Sequence, residues 1–212
     1  MQLDEPQFFN PFAEIEHTKN HLPHWQQPGV TYLITFRLSD AVPTALRDSW
    51  QNEREAWLKW HPKPWSADTT REYHEQFSAR EDQWLDAGHG ECILRDPRCR
   101  ANLEPTLRHF DGERYHHHAW VIMPNHVHVL VSLCATSKLG EVVGAWKGIS
   151  SKRINALLGR GGTVWQEDYF DRFIRDGEHF ANCCRYVRRN PLKAGLSQAA
   201  FTLYETEFAG GY

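Results

Sequence analysis

The sequence predicts an α+β fold of the ferredoxin-like kind: an antiparallel sheet with helices on one face and a helical insertion after the first strand. Three observations carry this expectation. The stretch from Tyr115 to Leu133, YHHHAWVIMPNHVHVLVSL, reads as two strands joined at Pro124-Asn125, which is turn chemistry. In its second half Val127, Val129 and Val131 alternate with His126, His128 and Leu130, the period of two of a half-buried strand. Leaving the insertion aside, the order along the chain is strand, helix, strand, strand, helix, strand, helix, and the first six elements make a βαββαβ unit.

Each element has a local reason. Met1 to Gln27 reads as irregular, because Pro6, Pro11, Pro23 and Pro28 prevent a long helix, and His21-Leu22-Pro23-His24-Trp25 is open to being a packed arm. Val30 to Leu38, VTYLITFRL, is β-branched, aromatic and alternating, hence a strand. Ala45 to Trp60 has helical period, and His61-Pro62-Lys63-Pro64 stops it. A second, polar helix runs from about Thr69 to Leu85, closed by Gly88 and Gly90. These two Trp-rich helices form the insertion, at about residues 45–90.

Asp96-Pro97 is a helix start, with Asp as cap and Pro at the first helical position, and this helix runs to about Phe110. After the hairpin, Lys138 to Leu158 is helical, with Leu139, Val142, Val143, Trp146, Ile149, Ile154 and Leu157 as its apolar stripe. Thr163 to Gln166 reads as a short strand, and Tyr169 to Ile174 is ambiguous. A last helix begins at Asp176 and is expected to end at Asn190, since the residue before Pro191 avoids the α region. The whole chain, 1–212, is expected to form one domain with a C-terminal tail at about 192–212.

Composition narrows the function classes. The net charge is −3, so nothing in the overall charge points to nucleic acid, and any such binding must rest on a local patch. The five cysteines form no CxxC pair and are odd in number, which points to free thiols and a cytoplasmic protein. No basic segment precedes an apolar one at the N-terminus, so no signal peptide is expected. No apolar run approaches the ~20 residues that span a bilayer, so no membrane partner is expected. There is no Gly-rich phosphate loop, no GxSxG and no HExxH.

In a strand, His126 and His128 point the same way. An ordinary reading makes them two polar residues on a strand face, in a chain with 13 histidines. The sharper reading makes them a chelating pair for a divalent metal. Two histidines are too few for a closed structural zinc site, so a metal here needs another ligand and keeps open positions, as a catalytic metal does. On the last helix Tyr186 and Asn190 lie four residues apart and share a face. Arg185, Arg188, Arg189 and Lys193 crowd around them. Either this is a solvated basic face, or an anion belongs nearby.

Taken together these motifs meet a family pattern. MPNHVHVLV, followed by VWQEDYFDRFIRD and then YVRRNPLKAGL, resembles the REP-associated tyrosine transposases, IS200-like members of the single-tyrosine HUH transposases. The opening LPHWQQPGVTYLITFRLSD is similar as well, so the resemblance runs from about Pro23 to Leu196, weakest over the insertion. It implies the HUH transposase fold, with His126 and His128 as metal ligands, Tyr186 as nucleophile and Asn190 as third ligand. It implies Mg2+ or Mn2+ as cofactor, which suits two imidazoles and one amide oxygen with positions left open. The implied substrate is single-stranded DNA with a REP-type hairpin, cut through a 5′-phosphotyrosine intermediate. Lys147, Lys152, Arg153, Arg185, Arg188, Arg189 and Lys193 are the candidate DNA-phosphate contacts. The oligomeric state is open between monomer and homodimer.

Two rival readings stay alongside: a non-catalytic hairpin-binding protein derived from a transposase, and a metal-dependent phosphodiester hydrolase in which Tyr186 is structural. Two lesser site candidates remain, His116-His117-His118 as metal ligands and Tyr169 as nucleophile. Asp171, Asp176 and Glu178 are read as caps and surface.

Overall fold

In the computed structural model, which describes residues 5–19, 23–62 and 65–212, the chain opens with a two-stranded antiparallel ribbon of β1 (Glu16–Lys19) and β2 (Pro23–Gln26). The expectation of an irregular N-terminus is therefore corrected. Side chains far along the sequence hold β2 in place. The Gln26 amide donates to the Ser137 carbonyl (3.0 Å) and accepts from the Leu139 backbone N–H (2.8 Å). His24 is buried between Asp168 and Asp171 and stacks on Tyr169. His21 and Leu22 of the supposed arm, and Lys63 and Pro64 of the first helix's stop signal, lie outside the described residues.

The main sheet runs β6 (Phe170–Phe173), β3 (Thr31–Arg37), β5 (His126–Leu133), β4 (Tyr115–Ile122), β7 (Thr202–Glu205), every pair antiparallel. Without β7, this is the fourth, first, third and second strand of the βαββαβ unit, so the predicted fold class holds. Helices α4 (Pro97–Arg108) and α5 (Leu139–Leu158) cover one face, where Tyr32, Ile34, Phe36, Val127, Val129 and Val131 meet Leu103, Leu107, Val143 and Trp146. Helix α6 (Gly177–Lys193), whose position the sequence left open, covers the other, with Phe180, Cys184 and Val187 against Leu33, Ala119, Val121 and Leu130. The central strand β5 is consequently buried along its whole length and not half-buried. Its histidines face α6, and its valines face α4 and α5.

Capping follows the sequence at two helix starts. Asp96 accepts from the Arg98 N–H at 2.8 Å, and Asp176 accepts from His179 at 2.7 Å. The end of α6 does not follow it. The helix continues through Asn190-Pro191 to Lys193. Pro191 removes one N–H, but only in the last turn, where Ala194 N–H still reaches the Asn190 carbonyl at 3.0 Å and Asn190 and Pro191 are buried. The ambiguous segment becomes β6, whereas Thr163–Gln166 contributes a single bridge, Trp165 to Leu38. The tail, unassigned from sequence, adds β7 to the edge beside β4 and a turn of helix, α7 (Glu207–Gly210), capped by Thr206.

The insertion comprises α1 (Thr44–Trp60), α2 (Ala67–Tyr73), a π-helical turn (His74–Ser78) and α3 (Ala79–Asp86). Trp50, Trp57 and Phe77 form its own small core, which packs on Phe170 of the edge strand β6. From that edge α3 reaches round to the face of the sheet that carries α6.

Candidate active site

The strand period places His126 and His128 side by side on the α6 face, their ring centroids 4.7 Å apart and each side chain about 1% exposed. Across from them, Tyr186 and Asn190 stand one turn apart on α6. The His128 Nε2 lies 3.3 Å from Tyr186 Oη and 3.3 Å from the Asn190 side-chain amide. The structure therefore brings together the four residues that the two motifs singled out.

Hydrogen bonding sets the form of both rings. The Asn125 Nδ2 donates to the backbone carbonyls of Leu85 (3.2 Å) and His89 (3.4 Å), so its Oδ1 is the atom that faces His126 Nδ1 at 2.8 Å. The proton of the neutral ring consequently sits on Nδ1, and Nε2 keeps a bare lone pair. That Nε2 is buried and has no hydrogen-bond partner, and the same is true of Asn190 Oδ1. Thr35 Oγ1, 2.7 Å away, occupies the Nδ1 of His128 and turns its Nε2 toward α6. Burial, first of all, holds both imidazoles neutral: His128 is pushed down to about 3 and His126 well below its ordinary value, helped by His128 and Arg37. Neutral imidazoles are the ligand form of histidine, here with a second partner behind each ring, His126 Nε2 unmet and His128 Nε2 turned to Tyr186 and Asn190. These residues fit a divalent cation. Among the described residues no three His, Cys, Asp or Glu side chains gather as a metal-binding group, so the third ligand here would be the Asn190 amide.

Tyr186 is held protonated. Burial raises its phenol well above the usual 10, and the Asp82 carboxylate, which accepts its O–H, adds to the effect. Burial also raises Asp82 itself. Asp82 lies on α3 and is one of three acidic side chains that this helix lays along the site. Glu81 pairs with Arg37, Asp82 with Tyr186, and Asp86 with Lys193 at 2.8 Å. Sequence reasoning missed Asp82, Glu81, Arg37, Thr35 and Asn125. Only Asn125 carried a signal, its place directly before His126, and it was read as turn chemistry alone.

The seven candidate DNA cations lie on two helices on opposite faces of the sheet. Lys147, Lys152 and Arg153 ride on α5, behind the sheet from the histidine pair. Lys147 donates to the Glu167 carbonyl (2.5 Å) and is shifted down by burial, while Arg153 donates to Thr106 Oγ1 (3.1 Å). On α6, Arg188 is committed to both oxygens of Glu205 (2.9 and 3.0 Å) and to the Ala209 carbonyl. Arg185 donates to Asn182 Oδ1 at 2.8 Å and Lys193 pairs with Asp86. Arg189 is exposed on the site's own helix and makes no hydrogen bond or ion pair among the described residues.

The lesser candidates lie elsewhere. Tyr169 packs in the core on the α4–α5 side, its ring 4.1 Å from that of His24. His117 Nε2 lies 2.9 Å from the Leu107 carbonyl, and His118 Nε2 lies 2.7 Å from Ser132 Oγ. Asp176 is a helix cap as expected, whereas Asp171 binds His24.

Comparison with known proteins follows the same residues. The model of the family described as transposase IS200 like matches residues 98–190, the segment that holds His126, His128, Tyr186 and Asn190. No curated protein matches the chain. Among solved structures, a REP-associated tyrosine transposase bound to a REP hairpin is similar at 14% identity and a TM-score of 0.46, covering 85% of this chain and 77% of its own. A protein of Deinococcus radiodurans R1 described as a transposase is similar at 15% identity and a TM-score of 0.32, covering 78% of this chain and 93% of its own. The family match covers less than half of the chain.

Proposed function

We propose that this chain, whose residues 98–190 match the IS200-like transposases, cuts and rejoins single-stranded DNA beside a hairpin through Tyr186. One observation carries the reading. A tyrosine hydroxyl stands 3.3 Å from the Nε2 of a buried histidine, beside a second histidine and an asparagine whose own lone pairs have no protein partner. A core has no use for two unmet polar atoms side by side, because each is expensive to bury.

In this reading His126, His128 and Asn190 would hold Mg2+ or Mn2+, which would supply Lewis-acid stabilisation of the charge that develops on the phosphate and the departing oxygen. Tyr186 supplies the nucleophile. Its Oη forms a bond to phosphorus in line with the P–O3′ bond that breaks, the phenol proton is released to solvent, and the 3′-oxygen takes up a proton from solvent. The phosphodiester energy is kept in the 5′-phosphotyrosine, so another 3′-OH can reverse the step and join strands. Asn125 and Thr35 orient the imidazoles. The hairpin is of the repetitive extragenic palindrome type, as the sequence motifs suggest, and the protein acts in the cytoplasm.

The test is incubation with an end-labelled hairpin oligonucleotide and Mn2+, followed by a denaturing gel. Label at protein mass is expected. Cleaved DNA without label on the protein would support the hydrolase reading, and a native-gel shift without either product the binding-only one.

A further inference from the structure

We infer that Arg37 is a ligand of the scissile phosphate, a guanidinium built into the wall of the site next to the histidine pair. The inference rests on the strand-transfer reading above and names the side chain that meets the anion there.

Register places it. In the β3–β5 ladder Arg37 is the direct partner of His126, and Thr35, two residues earlier, is the partner of His128. Directly opposed residues in antiparallel strands share a face, with their Cβ atoms about 5 Å apart. Thr35 is seen on the α6 face, bonded to His128 Nδ1 at 2.7 Å, so Arg37 projects from that face too. Its charge reaches His126 and helps to hold that ring neutral.

The surroundings of Arg37 are unusual for a structural residue. It is only 8% exposed, its guanidinium meets the Glu81 carboxylate and the face of Phe170, whose ring centre lies 5.5 Å from the guanidinium carbon, and the charges of Arg47 and Asp168 also reach it. A buried ion pair adds little to stability, because desolvating both charges offsets their attraction. A cation kept there at that cost is better explained by an anion it serves. Glu81 comes from the inserted helix α3, and its carboxylate meets Arg37 Nη1 where an oxygen of a phosphodiester could take its place. In the cleavage step negative charge accumulates on those oxygens, beside His126, within reach of a donor that needs no rearrangement of the backbone.

The experiment compares variants that all lack the ion pair and differ only at position 37. Glu81→Gln keeps Arg37. Arg37→Lys in the Glu81→Gln background keeps a charge without the fork. Arg37→Gln in that background replaces the pair with two amides that can hydrogen-bond each other. Each is measured for hairpin binding and for the rate of covalent adduct formation at saturating hairpin and Mn2+. Glu81→Gln is expected to form adduct at the wild-type rate or faster. The double-glutamine variant should lose about 100-fold, the usual effect of removing one preorganised donor to developing charge, with hairpin affinity unchanged. The lysine variant should fall between them. Equal rates in all three, or an equal fall in all three, would overturn the inference and leave Arg37 as a docking residue for the insertion. If the wild type itself forms no adduct, the strand-transfer reading fails, and this inference with it.

Discussion

The Tyr186 hydroxyl and the His128 imidazole meet at 3.3 Å across 58 residues of chain, one on α6 and the other on the central strand. The meeting depends on α6 packing on the face of the sheet that α4 and α5 leave free. A tyrosine on that helix is thereby delivered to the histidine pair, with Asn190 one turn further on.

Tyr186→Phe removes one oxygen and little else. The ring packs against the core on the α6 side of the sheet, and the phenylalanine keeps that packing. Adduct formation on a hairpin oligonucleotide is expected to fall to background, with hairpin affinity within about twofold of wild type, since only the nucleophile is lost. Unchanged cleavage on the denaturing gel would remove Tyr186 from the chemistry.

Asn125→Ala frees His126 Nδ1 and lets the ring turn or change tautomer. Loss of such an outer-shell partner weakens metal binding by about 10–100-fold. Titration calorimetry with Mn2+ reads this directly, without any reaction. Affinity equal to wild type would mean that Asn125 does no more than close the turn.

Acid should destabilise the protein through its site histidines. His128 has a folded value of about 3 against an ordinary 6.5, so the folded form resists protonation that the unfolded chain accepts. The sign follows: this contribution is present above pH 6.5 and is lost as pH falls toward 3. Replacing His128 by Asn should flatten the dependence of unfolding free energy on pH by about 1.4 kcal/mol per pH unit in that window. Urea unfolding at pH 6, 5 and 4 measures the slope, and parallel curves for variant and wild type would contradict the assignment.

The basic face of α6 is divided in its roles. Arg189→Ala is expected to lower the slope of log affinity against log salt by about 0.7–0.9, one phosphate contact. Arg188→Ala should leave that slope unchanged, because Glu205 holds its guanidinium, and should lower stability by about 1 kcal/mol instead. Binding titrations across a range of salt concentrations separate the two. A slope change at Arg188 and none at Arg189 would reverse these roles.

What could be read from the sequence was local in period. Val127, Val129 and Val131 against His126, His128 and Leu130 announced a strand and its two faces, and four-residue spacing announced Tyr186 and Asn190 as neighbours. The order of elements was enough for the βαββαβ sheet. Contacts between distant segments were not legible. Nothing in the polar run of α3 says that Glu81, Asp82 and Asp86 will meet Arg37, Tyr186 and Lys193, because no period links residues 81–86 to those positions. His24 gave no hint of Asp171, whose pairing with it turns an expected irregular arm into a ribbon. Pro191 misled because the rule that proline ends a helix weakens in a last turn that is already buried. The placement of the seven cations was not legible either: which side of the sheet α5 covers is a tertiary fact, and so is Glu205 reaching Arg188.

The most direct test is peptide mapping of the covalent product. The protein is incubated with a short hairpin oligonucleotide and Mn2+, digested with a protease and a nuclease, and analysed by mass spectrometry. The account predicts a nucleotide phosphate on the peptide that contains Tyr186, and on no other. A modified peptide carrying Tyr169 instead, or cleaved DNA with every tyrosine peptide unmodified, would contradict it.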